Sequence, residues 1–292
     1  MIMEKINAAT DSALRKPRLA LMGEFSAGKS TLANLLTGGQ HLPVQVTATQ
    51  LPPVWISYGT SPAYRIDLEG KTIPVSLARL DDVPIAETAY IRFFEQSDML
   101  ASCDIIDMPG ISDPNMPAEI WQRVLPQADG VIWCTHATQA WRQSENAIWA
   151  TMPPELQAHS LLLLTRIDKI ISERDRDRIV KRVNKETAGL FAAPCLPISL
   201  TGAIAAQGRA DLLTASGADE FLCQLIGLIQ SIQHSLGHPL SSTTPDTVQS
   251  DPILPRRIKS EPGNATPTPR PAFVQDDPEV AAFRAILRGK NR

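Results

Sequence analysis

The most informative part of the sequence is RLALMGEFSAGKSTLANLL, residues 18–36. An apolar run precedes a loop with glycines at positions 23 and 28, and the loop leads directly into a segment with helical spacing of its leucines. Glycines let backbone N–H groups approach phosphates, and the helix that follows places its positive end at the same point. The stretch therefore predicts a phosphate-binding loop between a strand and a helix. By itself it does not distinguish ATP from GTP.

All nine residues of this loop and the first helical positions are predicted nucleotide contacts: Gly23, Glu24, Phe25, Ser26, Ala27, Gly28, Lys29, Ser30 and Thr31. Lys29 is expected to reach the β- and γ-phosphates, and the Ser30 hydroxyl is expected to bind Mg²⁺. The structural alternative is a glycine turn followed by a salt-bridged lysine.

Composition limits the function classes. The 292 residues are 43% hydrophobic and carry a net charge of only −3, so a sizeable core is expected and a nucleic-acid partner is not. The longest apolar runs, such as LLLL at 161–164, are too short to span a membrane. The first residues, MIMEKINAATDSALRK, lack an apolar signal core, which predicts a cytoplasmic protein.

Strand and helix patterns alternate along the chain. Strands are predicted at 18–22, 53–58, 63–68, 72–76, 88–94, 103–107, 130–134, 160–165 and 195–199. Helices are predicted at 2–14, 29–37, 117–125, 140–151, 172–188 and 217–235. This alternation favours an α/β fold, with a central, mostly parallel sheet and helices on both faces.

The domain organisation follows from a change of composition. Residues 1–237 are predicted to form one nucleotide-binding domain, with its core at about 17–235. Residues 238–276 are rich in Pro, Ser and Thr and are predicted to be a disordered linker. Residues 277–289 begin at Asp-Pro and end at Gly, with Val280, Phe283 and Leu287 on one face, which predicts a short amphipathic helix.

Polar residues end two of the predicted strands. The strand CDIID at 103–107 ends in Asp107-Met108-Pro109-Gly110, where the aspartate could hold a water on Mg²⁺ and the Gly110 N–H could sense the γ-phosphate. The strand SLLLLT at 160–165 ends in Thr165-Arg166-Ile167-Asp168. Ligands bind at this edge of an open α/β sheet.

The motif at residues 165–168 is the candidate contact with the nucleotide base. A carboxylate at Asp168 could accept hydrogen bonds from guanine N1–H and the 2-amino group, donors that adenine lacks in this arrangement. The stem of Arg166 could stack over the base, and the turn at Ser199 could present a backbone N–H to guanine O6. The alternative for Asp168 is a structural cap of the next helix. A further interpretation is an ATPase, in which Asp168 has only a structural role.

These motifs together resemble those of a translation-type G domain. More narrowly, GEFSAGKST, LPVQVTATQLP at 42–52 and DIIDMPGISDP resemble the dynamin-like GTPases, especially the bacterial ones, over about residues 17–235. The resemblance implies GTP as substrate, Mg²⁺ as cofactor, and a switch threonine on the metal. That threonine would be Thr49, with Thr47 as the competitor. The implied metal set is then Ser30, Thr49 and, through a water, Asp107.

The resemblance also implies a mechanism. Ser26 matches the dynamin phosphate-loop serine that helps organise the transition state; its alternative is a loop cap. Lys29, Ser26 and Thr49 are thus the expected catalytic residues. The sequence departs from dynamin at Phe25, where dynamin has glutamine, at Arg166, where lysine is usual, and at Ile171, where a second acid is usual.

Two functions remain open at this point. The first is a GTPase with slow basal turnover, since Ile111 and Ser112 occupy the region where Ras-like enzymes carry a water-orienting glutamine. Resemblance to dynamins implies stimulation by pairing of G domains in a homodimer or with a related partner chain. The second is a GTP-dependent binding module that barely hydrolyses. No stalk is predicted, so membrane association would be indirect. Arg142 is a candidate arginine finger, with a surface salt bridge as the alternative.

Overall fold

Strand β1, Arg18–Gly23, shows how the fold is layered. The computed structural model describes residues 15–38, 51–113 and 116–237. Side chains alternate between the two faces of a strand. Leu19 and Leu21 accordingly pack in one hydrophobic cluster, and Ala20 and Met22 pack in a second cluster on the opposite face. The strand is therefore buried on both sides, as a central parallel strand must be.

In the described residues, one nine-stranded sheet has the order β4-β3-β5-β2-β6-β1-β7-β8-β9. After β1, the strands are β2 (Val54–Tyr58), β3 (Tyr64–Asp67), β4 (Thr72–Pro74), β5 (Thr88–Glu95), β6 (Asp104–Asp107), β7 (Gly130–His136), β8 (Ser160–Thr165) and β9 (Leu196–Pro197). Strands β6, β1, β7, β8 and β9 are parallel. Strand β2 is antiparallel to β6 and parallel to β5, and β3 is antiparallel to β4 and β5.

Helices cover both faces. They are α1 (Lys29–Thr37), α2 (Asp98–Ser102), α3 (Ala118–Gln122), α4 (Gln143–Trp149), α5 (Pro154–Ala158), α6 (Glu173–Glu186), α7 (Leu200–Ala206), α8 (Ala210–Ser216) and α9 (Ala218–Ser235). Helices α1, α2, α7, α8 and α9 contribute to the cluster that contains Leu19, and α3 to α6 contribute to the cluster that contains Ala20. The result is a three-layer α/β/α arrangement.

The predicted fold class, a mostly parallel α/β sheet with helices on both faces, is confirmed. Each of the nine predicted strand segments contains a strand, and four short helices, α2, α5, α7 and α8, were not predicted. The predicted helix at 2–14, the linker at 238–276 and the helix at 277–289 lie outside the described residues.

No single helix in the described part of the chain is both long and apolar enough to cross a membrane. The pair α8 and α9, which is bent by 80°, passes that test on length and composition when the two helices are taken together.

Candidate nucleotide site

The loop after β1 needs glycine at its first position. Gly23 has φ 137°, and a Cβ there would lie 2.1 Å from the backbone oxygen of Cys134 on the neighbouring strand β7. Gly28 has φ 93° and directly precedes α1. Left-handed backbone of this kind is strained for residues with a Cβ. The two glycines thus let the loop turn tightly over the carboxyl ends of β1 and β7.

Lys29 lies under the loop. Its side chain is 7% exposed, and its Nζ donates to the carbonyl oxygens of Gly23 at 3.1 Å and of Glu24 at 2.8 Å. Burial lowers the pKa of Lys29, with nearby carboxylates, Asp107 first among them, opposing the shift. The ammonium group is therefore held inside the loop by backbone acceptors, as expected for a lysine that binds phosphates there.

Ser30 and Asp107 meet at the end of strand β6. The Ser30 hydroxyl donates to Asp107 Oδ2 at 2.6 Å. Asp107 is 8% exposed, and its buried Oδ1 has no hydrogen-bond partner among the residues that the structure describes. Burial raises the pKa of Asp107 to about 6, against the opposing effects of Ser30 and Lys29. A hydroxyl and a carboxylate oxygen without a partner are the donors that Mg²⁺ uses together with phosphates and water, so these residues fit a magnesium ion.

The chain after Asp107 packs directly on the phosphate loop. A Cβ at Gly110 would lie 2.8 Å from Phe25 Cα and 2.9 Å from Phe25 N, so only glycine allows this approach. Ile111 N–H donates to Gly23 O at 3.2 Å, and Phe25 N–H donates to Ser112 Oγ at 3.1 Å. The phosphate loop and the segment after Asp107 are therefore in contact through backbone groups and the Ser112 hydroxyl.

The end of β8 is also tied to the phosphate loop. Thr165 is fully buried, and its Oγ1 contacts Ala27 O at 2.8 Å and Thr135 O at 3.1 Å. Arg166, with φ 55°, donates from Nη2 to both Ser26 O at 2.8 Å and Ser26 Oγ at 2.9 Å. Ser26 itself has φ 60°. The predicted base motif and the predicted catalytic serine are thus joined by an arginine.

Asp168 is exposed, and it makes no hydrogen bond or ion pair within residues 15–38, 51–113 and 116–237. It does not cap the next helix, because Ser172 Oγ accepts from Asp175 N–H at the start of α6. The helix-cap alternative for Asp168 is therefore not what the structure shows. The carboxylate stays available for a ligand.

Ser199 behaves differently from the expectation. Its N–H donates to Ser216 O at 2.8 Å, and its Oγ accepts from Gly202 N–H at 3.0 Å as the N-cap of α7. The amide that was expected to meet guanine O6 is thus already paired in this structure. Thr31 lies half-buried in the first turn of α1.

The two candidate switch threonines, Thr47 and Thr49, lie outside the described residues. The chain is described again from Leu51, and β2 begins at Val54, which pairs with Asp107.

Sequence reasoning did not identify Glu145. This carboxylate is 1% exposed and accepts hydrogen bonds from Trp133 Nε1, Thr135 Oγ1 and Arg142 N, each at 2.9 Å. Burial raises its pKa, and the hydrogen bonds oppose that shift. Its signal in the sequence was its place in the first turn of a helix, where acids are favoured. Glu145 fixes the start of α4 against strand β7.

A comparison with models of known protein families identifies the family of this chain. The model described as the dynamin family matches residues 19–167, just over half of the 292 residues. The chain therefore belongs to the dynamin family, and the predicted resemblance is confirmed for the G-domain region. A P-loop G domain of this family is a GTP-binding fold.

A named relative supports the same family assignment. The chain is 27% identical over 164 residues to dynamin-like protein 2 of Campylobacter jejuni subsp. jejuni serotype O:23/36 (strain 81-176), a match that covers 53% of this chain and 26% of that protein. The chain thus spans about a quarter of that relative's length.

Two solved structures are titled as an oligomerised bacterial dynamin pair that provides a mechanism for the long-range sensing and tethering of membranes. They are similar to this chain with TM-scores of 0.56 and 0.57 and identities of 16% and 19%. Each match covers 80% of this chain and 38% of the other. At this identity the likeness shows the fold alone.

Proposed function

We propose that this chain binds GTP and Mg²⁺ and hydrolyses GTP to GDP and phosphate. The observation that supports this most directly is the set of contacts around one loop. Lys29 lies under it, Ser30 bonds Asp107 beside it, and Thr165 bonds its Ala27 carbonyl from the base side. Groups for phosphate, metal and base therefore surround one turn of backbone at the carboxyl edge of the sheet.

Each residue then has a distinct role. Lys29 and the backbone N–H groups of 24–31 bind the phosphates and take up the negative charge that develops during transfer. Ser30 and, through a water, Asp107 would hold Mg²⁺, with Thr49 or its competitor Thr47 from the first switch. The metal, when bound, neutralises charge on the phosphate oxygens. The Gly110 N–H is the proposed sensor of the γ-phosphate.

Base selection is proposed to rest on Asp168. Its exposed carboxylate can accept from both guanine N1–H and the 2-amino group, whereas adenine would leave it unpaired. Thr165 fixes the strand end below it, and the Arg166 stem is proposed to lie along the base. The first turn of α7, near Ser199, completes the list of proposed base contacts.

Hydrolysis is proposed to proceed by in-line attack of water on the γ-phosphate. Ser26, held by Arg166, and Thr49 are the proposed residues that align water and phosphate. Ile111 and Ser112 offer no carboxamide to orient the water, so basal turnover is expected to be slow. Catalysis would be mainly positioning and charge stabilisation.

Pairing with another chain is proposed to accelerate this turnover. Two solved relatives are oligomerised bacterial dynamins that sense and tether membranes. By analogy, this chain would pair through its G domain with a second copy or a related dynamin-like chain. We propose a cytoplasmic protein that can associate with a membrane through such a partner.

A second function is a GTP-dependent binding module with little hydrolysis. One contact favours it: Ser112 Oγ accepts from the Phe25 amide, so the segment after the DMPG motif binds the loop through a serine rather than presenting a water-orienting glutamine. In that case the nucleotide would switch an interaction surface, and a partner would supply the missing catalytic group.

Turnover at several protein concentrations separates the two functions. GTP and ATP hydrolysis should be measured with Mg²⁺, with Lys29→Ala as the control. GTP-specific turnover per molecule that rises with concentration and vanishes in the variant supports the pair-stimulated GTPase. Binding of GTP without turnover at any concentration supports the module. Equal use of ATP would remove the guanine assignment of Asp168.

A further inference from the structure

An acidic side chain lies within the phosphate loop itself. Both oxygens of the Glu24 carboxylate are bonded to the start of α4. Ser144 Oγ donates to Oε1 at 2.6 Å, and Arg142 Nη1 donates to Oε2 at 3.2 Å. The Glu24 side chain is only 14% exposed, and that of Arg142 is 46% exposed. The loop is thus tied to a segment almost 120 positions further along the chain.

A carboxylate at this position creates an electrostatic problem. The Glu24 carbonyl accepts a hydrogen bond from Lys29 Nζ at 2.8 Å, and the Glu24 carboxylate is one of the negative groups that oppose the lowering of the Lys29 pKa. A nucleoside triphosphate brings several negative charges to the same loop. Like charges this close repel strongly where water is partly excluded. Without a counter-charge, Glu24 would weaken binding of the terminal phosphate.

Hydrogen bonds to neighbouring residues hold the guanidinium of Arg142 in place beside Glu24. Its backbone N–H donates to the buried carboxylate of Glu145, which is itself held by Trp133 and Thr135. Its second terminal nitrogen, Nη2, donates to Gln139 Oε1. Backbone and side chain are therefore held on both sides, and the arginine is in place before any ligand arrives.

We propose that Arg142 is a positioning residue that neutralises Glu24 and thereby lets the phosphate loop accept a γ-phosphate. It acts through Glu24 and not as an arginine finger on the reacting phosphate. This inference rests on the proposed GTP binding and adds the residue that permits it. It also resolves the two interpretations of Arg142: the salt bridge exists, and its partner is the phosphate loop.

Nucleotide binding by variants that remove the Arg142 charge, alone or together with the Glu24 charge, tests the proposal. Equilibrium binding of a fluorescent GTP and of the matching GDP is measured with Mg²⁺ on the full chain. Arg142→Ala should weaken GTP binding about tenfold and GDP binding less, because the γ-phosphate brings the extra charge. The double variant Glu24→Gln with Arg142→Ala should return to within about threefold of wild type. The defect of Arg142→Ala should shrink as salt rises, because dissolved ions screen the repulsion between the partly buried Glu24 and the phosphates, although less than they screen exposed charges.

A matched control is available on α6. Arg178 pairs with Asp175 at 3.5 Å on an exposed face of the helix, and the pair includes no residue of the phosphate loop. Arg178→Ala removes the same charge and should leave GTP affinity unchanged. Equal losses in the Arg142 and Arg178 variants would reduce the effect to net charge and overturn the proposal.

Three other outcomes would also overturn it. GTP affinity of Arg142→Ala could stay within twofold of wild type. Glu24→Gln could fail to restore binding. Turnover could collapse at unchanged GTP affinity and without rescue by Glu24→Gln, which would make Arg142 a finger. A wild-type chain that binds neither GTP nor ATP would contradict the proposed function itself, and this would be evident before any variant is made.

Discussion

Asp107 has the most strongly shifted carboxyl pKa at the candidate site, and the cause is burial. The shift of this pKa, from 3.8 to about 6, determines how the carboxyl group changes folding stability with pH. A group whose pKa is raised by folding contributes stability below its unfolded pKa and loses that contribution as pH rises through its folded pKa. Without ligand, the ionised carboxylate therefore destabilises the protein above about pH 6.

Asp107→Asn should stabilise the nucleotide-free protein at pH 7.5 by about 1–3 kcal/mol, because it replaces a buried carboxylate by an uncharged amide of nearly the same shape. At pH 4.5 the difference should shrink to about 1 kcal/mol, because the carboxyl group is protonated in the folded state but still mostly ionised in the unfolded chain, and it should vanish only below the unfolded pKa of 3.8. Urea unfolding in EDTA at the two pH values measures this. A variant that is equally or less stable at pH 7.5 would contradict the account of Asp107.

Asp168 is the residue proposed to determine base choice. Asp168→Asn presents one acceptor and one donor in place of two acceptors. This matches xanthine, which has N1–H and a 2-oxo group, and mismatches guanine. The preference for GTP over XTP should reverse, with GTP weakened about a hundredfold or more because polar groups are left unpaired. Competition binding with the two triphosphates reports it, and an unchanged preference would show that Asp168 does not contact the base.

Some site residues could be identified from the sequence and others could not. The sequence allowed a prediction for Lys29, Ser30, Asp107, Thr165 and Asp168, because each lies at the end of an apolar strand or a few residues after it. The ends of such strands meet at one edge of the sheet. The ion pair of Glu24 with Arg142, the burial of Glu145 and the pairing of the Ser199 amide were not. They depend on which loop lies against which, and local periodicity does not encode that.

At the scale of single elements, two glycines offer a matched pair. Gly23→Ala places a Cβ 2.1 Å from Cys134 O at φ 137°, whereas a Cβ at Gly227 in α9 meets nothing within 4 Å. Gly227→Ala should stabilise the protein by up to about 1 kcal/mol, as helix propensity predicts. Gly23→Ala should destabilise it by at least about 2 kcal/mol. Thermal unfolding of both variants measures this, and equal effects would contradict the packing of β1 on β7.

Element prediction succeeded for the described strands, but it missed four of the six described helices that have five to seven residues. The strands are apolar runs bounded by turn residues, and burial on both faces leaves a clear trace. The unpredicted helices α2, α5, α7 and α8 have only five to seven residues. A segment that short shows at most two turns, too few for a 3.6-residue period to be recognised. The antiparallel placement of β2 beside β6 likewise depends on tertiary pairing.

At the scale of the whole molecule, the described residues 15–38, 51–113 and 116–237 bring every described candidate site residue to one sheet edge. Helix α9 ends at Ser235, and its apolar face is part of the core. Deletion of residues 239–292 should therefore leave nucleotide affinity nearly unchanged. Titration of fluorescent GTP into the full and shortened chains measures this. A collapse of affinity would mean that the tail contributes to the nucleotide domain and that the predicted boundary at 237 is wrong.

The central claim is that one sheet edge binds a guanine nucleotide through Lys29, Ser30, Asp107 and Asp168. Calorimetric titration of the wild-type chain and Lys29→Ala with GTP and with ATP, in the presence of Mg²⁺, tests it most directly. We expect one GTP per chain, binding of ATP at least about a hundredfold weaker, and loss of GTP binding in the variant. Equal affinity for ATP, or GTP binding that survives in Lys29→Ala, would contradict it.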